Sequence, residues 1–193
     1  MNIILASQSP RRREIMTLMD IPFQVIESHM PEVPPVGATP PELVMALAAQ
    51  KAQAVFSLHS DACVIGADTV VDVDGRVLGK PHTPERAKEY LQLLQGRSHI
   101  VYTGLCVLTP HSQDVRYCRT DVTFRPMTEG EIDWYISTGD PLDKAGSYGV
   151  QGPACQFVDH LEGNYFNIIG LPAPLLYEML VTAGVMDKNH RVL

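Results

Sequence analysis

The sequence predicts an α/β fold: a mixed, twisted sheet with flanking helices. Three observations predict it. Short runs rich in Val, Ile and Leu interleave with stretches of helical spacing, the pattern that lays helices against a sheet. Two pairs of strand-like runs are joined by turn sequences, at Asp74-Gly75 and at residues 110–114, so part of the sheet is antiparallel. Hydrophobic residues make up 45% of the 193, enough to build a core. Residues 1–186 read as a single domain, and residues 187–193 as a frayed tail.

The elements follow in order. Residues 2–6 form an apolar run that reads as a buried strand. Ser9 is placed to cap a helix with Pro10 at its first position, where a missing N–H costs nothing, and that helix runs to about Met19. Residues 22–28 read as a second strand. Residues 31–41 hold five prolines and a glycine and must be a loop. Thr39-Pro40-Pro41-Glu42 is a capping box, opening a helix to about Leu58. Residues 62–73 read as a strand, turned by Asp74-Gly75 into Arg76-Val77-Leu78. Thr83-Pro84 starts a helix that Gly96 ends. Residues 99–108 and 115–124 are long strands. Thr128-Glu129-Gly130-Glu131 is a second capping box, with a helix to about Ser137. Residues 139–152 are rich in glycine and charge without periodicity, a loop of functional character. A strand near residues 156–161 and a helix over residues 173–183 complete the chain.

Composition excludes several classes of function. The formal net charge of −7 argues against a nucleic-acid-binding face, though not against a small anionic ligand, which needs only a few local cations. The N-terminal apolar run is too short for a signal peptide, and its arginines follow it rather than precede it. No stretch approaches the ~20 apolar residues of a membrane span. Cys63, Cys106, Cys118 and Cys155 have no C-x-x-C spacing and read as reduced, mostly buried thiols of a cytoplasmic protein. The seven histidines show no zinc-ligand spacing.

Four stretches carry possible chemistry. In Ser7-Gln8-Ser9-Pro10-Arg11-Arg12 a strand feeds a capped helix N-terminus, which offers backbone N–H groups, a serine hydroxyl and two guanidinium forks to a phosphate. An ordinary capped helix with solvated arginines fits the same residues. Asp68, in Gly66-Ala67-Asp68-Thr69, lies inside an apolar strand, where an unpaired carboxylate is costly. It either holds a divalent metal or acts as a general base, or it is paired with a core arginine or backbone amides. Gly79-Lys80-Pro81 is not a phosphate-binding P-loop, because Gly75-x-x-x-Gly79-Lys80 is one residue short and no Ser or Thr follows the lysine. Lys80 stands as a lone phosphate-contacting cation. Asp72-x-Asp74-Gly75 is a hairpin turn rather than a calcium loop, since the twelfth position from Asp72 is Thr83 and not Glu. In the stretch from Asp140 to Gly152, glycines permit close approach to a ligand, and the Gln151 amide suits a nucleobase edge. A flexible loop with solvated charges is the other reading.

Taken together and in order, Ser7-x-Ser9-Pro10-Arg11-Arg12, Gly66-Ala67-Asp68-Thr69-Val70, Gly79-Lys80-Pro81, Asp143-Lys144-Ala145-Gly146-x-Tyr148-Gly149-x-Gln151-Gly152 and Asn167-Ile168-Ile169-Gly170-Leu171-Pro172 resemble the Maf family of nucleotide pyrophosphatases. The resemblance implies a cleft between two lobes, similar to inosine triphosphate pyrophosphatase-like folds. It implies cleavage of a nucleoside triphosphate to the monophosphate and pyrophosphate with a divalent cation, Mg²⁺ or Mn²⁺, as a house-cleaning activity. It also implies a homodimer. Asp68 falls on the proton-accepting position and, with Glu32, on the metal-linked positions; many relatives have Asp-Glu where this chain has Pro31-Glu32. Ser7, Arg12, Lys51 and Lys80 fall on phosphate-contacting positions. Arg11, Thr69 and Gln151 resemble the subgroup acting on dTTP and UTP rather than the one preferring 7-methyl-GTP. Two rival classes remain: a nucleotide-binding regulator of septum formation without turnover, and a metal phosphoesterase acting on nucleic acid, against which the −7 charge counts.

Overall fold

The computed structural model describes residues 1–29 and 31–193. Its elements are β1 (Ile3–Leu5), α1 (Pro10–Leu18), β2 (Gln24–Val25), α2 (Pro40–Phe56), β3 (Cys63–Val73), β4 (Arg76–Leu78), α3 (Pro84–Leu94), β5 (Ser98–Leu108), β6 (Gln113–Phe124), α4 (Glu129–Ser137), β7 (Val158–Gly163), α5 (Tyr165–Ile169) and α6 (Ala173–Thr182). The strands form a seven-stranded mixed sheet in the order β2-β1-β3-β5-β6-β7, with β4 beside β3. The predicted α/β class with its mixed sheet is therefore present. The chain divides into two compact units, one of Met1–Asp68, Thr103–Cys118 and Gly170–Leu193, the other of Thr69–Tyr102 and Arg119–Ile169. No helix among the described residues is long and apolar enough to cross a membrane.

In the first unit β1 lies between β2 and β3, parallel to both, with Ile4 opposite Gln24 and Val64. All of β1 is buried, as an interior parallel strand must be. Strand β2 is only two residues long, because Pro22 has no N–H to donate and the chain reaches β1 late. Helix α2 begins at its capping box, where the Thr39 N–H donates to Glu42 at 2.9 Å. Its buried face is Val44, Leu47, Ala48, Ala52 and Val55, of which Ala48, Ala52 and Val55 cluster with Ile4, Ala6, Val64 and Cys106; burying each Val or Leu contributes roughly 1.5–3 kcal/mol. Two glycines let this helix lie close. A Cβ on Gly66 would stand 2.1 Å from the Ala48 carbonyl oxygen, and one on Gly104 would stand 2.2 Å from that of Val44. At residues 187–193, which read as a frayed tail, Met186 and Val192 form a bridge, and the Leu193 N–H donates to the Val185 carbonyl at 2.9 Å.

In the second unit β3 and β4 form the expected hairpin. Asp74 and Gly75 both have positive φ, 53° and 79°, as a two-residue turn between twisted strands requires. Thr83 caps α3, and the second capping box opens α4, where the Thr128 N–H donates to Glu131 at 2.8 Å. Strand β7 pairs antiparallel with β6, with a bulge between Thr123 and Phe124. Two features differ from the sequence reading. Residues 139–152, read as a loop without periodicity, carry a short 3-10 turn at Asp140–Asp143 and a left-handed bend at Gly146 and Ser147, with residues 146–150 buried. Helix α5, one turn long and without a periodic signal, holds the buried Asn167, whose amide donates to the Val101 carbonyl at 3.0 Å and to Thr120 Oγ1 at 2.9 Å.

Candidate active site

In the first unit β1 delivers the chain to the N-terminus of α1. Ser9 occupies the cap position, but its side chain makes no capping bond. Ser7 braces the chain entering the helix: its buried hydroxyl oxygen accepts the Ser9 N–H at 3.2 Å and the Arg12 guanidinium at 3.2 Å. Arg12 also donates through Nε to the Gly170 carbonyl at 2.8 Å. The guanidinium is thus fixed at two points. Burial pulls its pKa below the ordinary value, while Asp68 and Glu32 push it back and Arg11 lowers it further. An arginine stays cationic under such opposing influences. Arg11, one residue earlier, is half-buried.

Lys51 and Asp68 meet because α2 lies against β3. Gly66 and Asp68 are two residues apart in a strand and share a face. The missing Cβ at Gly66 lets α2 approach, and the same face then presents Asp68 to Lys51 one turn beyond Ala48. Lys51 Nζ stands 2.5 Å from Asp68 Oδ1 and 2.8 Å from Glu32 Oε1. Asp68 is 9% exposed, so its charge needs this partner. Glu32 reaches in from the proline-rich loop and remains half-exposed. That loop is tied to α2 by Gln50, which exchanges two hydrogen bonds with the Val33 backbone, at 3.0 and 2.7 Å.

Two carboxylates converging on one cation are a donor set suited to a divalent ion. Mg²⁺ is commonly held by one or two carboxylates, with water and substrate phosphate completing its shell. Glu32 and Asp68 fit that mode. Among the described residues no group of three or more His, Cys, Asp or Glu is placed to hold a metal, so a metal cage made by protein alone is not formed there. The thiols Cys63 and Cys106 are pushed up to about 12 by burial, which makes them unreactive. Cys118 is half-buried and Cys155 exposed.

The remaining sequence-predicted residues belong to the second unit. Thr69 is half-buried on β3, and Lys80 and Gln151 are exposed. The segments bearing the last two are anchored to each other within that unit. The Gly146 N–H donates to the Gly79 carbonyl at 3.1 Å, next to Lys80. Gln151 sits in a turn closed by the Gly152 N–H on the Gly149 carbonyl at 3.0 Å. Just before that turn, the Tyr148 hydroxyl and His99 Nε2 are 2.7 Å apart, both residues buried.

The structure therefore brings Ser7, Arg12, Glu32, Lys51 and Asp68 together in one unit and carries Thr69, Lys80 and Gln151 on the other. Reading the residues alone missed the Gly170 carbonyl that holds Arg12, the reason for Gly66, and His99. Gly170 does sit in the motif Asn167-Ile168-Ile169-Gly170, which was the available signal. A single histidine in an apolar strand gives none.

Comparison with known proteins bears on the chain as a whole. The family model described as "Maf-like protein" matches residues 2–183. A protein of Bacillus cytotoxicus named dTTP/UTP pyrophosphatase is 49% identical over 177 residues, covering 92% of this chain and 93% of that protein. One of the same name from Bacillus cereus (strain AH187) is 48% identical over 188 residues, covering 97% and 98%. Among solved structures, the Ham1 protein of Staphylococcus aureus aligns with a TM-score of 0.56 at 16% identity, over 95% of this chain and 100% of that one, a likeness of fold.

Proposed function

This chain belongs to the Maf family, and on that premise we propose that it hydrolyses dTTP and UTP to the monophosphate and pyrophosphate. The observation that carries the proposal is the buried carboxylate Asp68 flanked by Lys51, Glu32 and Arg12. Full-length relatives near half identity bearing the name dTTP/UTP pyrophosphatase support it.

A water oxygen attacks the α-phosphorus, the bond from that phosphorus to the bridging oxygen breaks, and pyrophosphate leaves. Asp68 takes the proton of the attacking water, the role of a positioned base. Lys51 exchanges its carboxylate partners for phosphate oxygens, and Arg12 adds a rigid fork to the same charge. Lys80 contributes a further cation to the phosphates. Bound by Glu32 and Asp68, Mg²⁺ or Mn²⁺ would neutralise phosphate charge and lower the pKa of the attacking water. The Gln151 amide selects the base: it donates to O4 and accepts from N3–H of uracil or thymine. Cytosine reverses that pattern, and a mispaired buried polar group costs ~1–3 kcal/mol. As a house-cleaning activity this acts on free nucleotides in the cytoplasm.

The test is pyrophosphate release from UTP, dTTP, CTP and GTP, each with Mg²⁺ and with Mn²⁺. The expected result is turnover of UTP and dTTP well above CTP and GTP. Nucleotide binding without release in any combination would overturn the reading in favour of a binding regulator.

A further inference from the structure

Within the segment from Gly146 to Gln151, Ser147 is held in a conformation that its side chain does not favour. Gly146 and Ser147 are consecutive left-handed residues, with φ of 66° and 64°. Only glycine can stand at 146, where a Cβ would lie 2.7 Å from Val71 Cγ2. Ser147 has a side chain and adopts the left-handed region regardless, fully buried, its hydroxyl without a hydrogen-bond partner among the described residues. Such a backbone persists only where its surroundings over-determine it.

The next residue supplies that constraint. Tyr148 is 4% exposed, and its hydroxyl meets His99 Nε2 at 2.7 Å. The rings of His99, Tyr148 and Phe124 pack edge to face in all three pairings, with centroids 4.8 to 5.3 Å apart. His99 is a poor choice for packing alone. It is 2% exposed, and Nδ1 has no partner among the described residues, so burying an imidazole here costs more than burying an apolar ring would. What the imidazole adds is a fixed hydrogen-bond partner for Tyr148. Beyond Tyr148 the chain makes the Gly149–Gly152 turn that displays Gln151.

We propose that His99 and Tyr148 are positioning residues for base selection. Their hydrogen bond clamps the strained segment and thereby sets where the Gln151 amide stands. The inference rests on Gln151 as the base-reading group of the proposed pyrophosphatase. Neither side chain touches the substrate. Without the clamp the turn relaxes towards less strained backbone, and the amide loses its fixed direction.

Pyrophosphate release from UTP and CTP, compared for the wild type and for Tyr148→Phe, His99→Leu and His99→Gln, tests this, with thermal melting of each protein alongside. Tyr148→Phe removes one oxygen and keeps the ring contacts. The expected result is a fall of about tenfold in the UTP-to-CTP ratio of kcat/KM for Tyr148→Phe and His99→Leu, the span of one lost discriminating hydrogen bond. The fall lies in KM for UTP rather than in kcat. His99→Gln, which restores a hydrogen-bonding group, recovers part of the ratio. An unchanged ratio in Tyr148→Phe, with or without a lower melting temperature, overturns the inference, because a purely structural role weakens both substrates alike. Should His99→Leu fail to fold, Tyr148→Phe decides. A wild type without pyrophosphate release from UTP overturns the underlying functional reading instead, so the two failures are distinguishable.

Discussion

Two regions of this molecule withdraw polar groups from water, and they do so in opposite ways. Around Asp68 in the first unit the groups are charged and each has several partners: Lys51 serves two carboxylates, and Arg12 holds a hydroxyl and a carbonyl while feeling both acids. Around Tyr148 in the second unit the groups are neutral and committed to one partner each. Burial pushes His99 down to about 3 and pushes the Tyr148 hydroxyl up, so neither ionises near neutrality. The difference teaches what each region is suited for. When an anion takes Lys51 from its carboxylates, Asp68 and Glu32 need another cation, because a buried charge left without a partner is costly. A neutral buried pair beside a left-handed turn has one arrangement, which suits recognition by shape and hydrogen bonding.

The largest expected effect comes from breaking the ionic side of this comparison. Asp68→Asn preserves shape and removes both the charge and the base. Pyrophosphate release should fall by roughly 10³–10⁴-fold, the upper part of the range for a positioned base, with the circular dichroism spectrum unchanged. Retention of activity within tenfold would mean that Asp68 only pairs with Lys51, and the two regions would no longer differ in kind.

Next in size is the device that assembles the network. Overpacking ordinarily costs ~1–3 kcal/mol, but the obstacle to a Cβ at Gly66 is a helix carbonyl rather than a movable side chain. Gly66→Ala is therefore expected to lose ~3 kcal/mol or more in denaturant unfolding. Gly130→Ala, in α4, meets nothing closer than 4.0 Å and should be neutral or slightly stabilising. Equal stability of the two variants would show that α2 reaches Asp68 without the glycine.

What was legible in the sequence were features written in neighbouring residues. Both capping boxes, the Asp74-Gly75 turn and the proline-rich loop specify themselves locally, and the structure has them. Asp68 stood out because a carboxylate in an apolar strand needs a reason. Its partner Lys51 lies 17 residues away on a different element, and spacing alone says nothing about that meeting; only the resemblance placed it at the site. Gly66 carried no local reason either, since its meaning lies in a helix that crosses it. The same holds for Ser7, whose hydroxyl accepts the Ser9 N–H ahead of the helix and the Arg12 guanidinium five residues on. Helix α5 and the short turns within residues 139–152 are below the length at which periodicity can be read. His99 was invisible because its strand looks the same with any apolar residue there.

The smallest predicted effect tests the neutral region through its pH response. His99 has a folded pKa of about 3, while an unfolded histidine titrates near ~6.5. Between those values the unfolded chain binds a proton that the native protein does not. Stability must then fall as pH falls across that window, with a slope of up to ~1.4 kcal/mol per pH unit from this residue alone. The contribution is complete above pH ~6.5 and is lost progressively towards pH 3. His99→Leu removes the effect, and whatever the two proteins share cancels in the comparison. Unfolding free energies measured from pH 7 to pH 5 should therefore drop more steeply in the wild type, by ~2 kcal/mol over the interval. Parallel curves would mean that His99 takes up a proton in the folded state without penalty. Its bond to Tyr148 would then carry charge and be open to exchange, as the contacts of Lys51 are. A steeper wild-type curve, together with a changed UTP-to-CTP ratio in Tyr148→Phe, would instead tie the neutrality of the pair to its hold on the turn that displays Gln151.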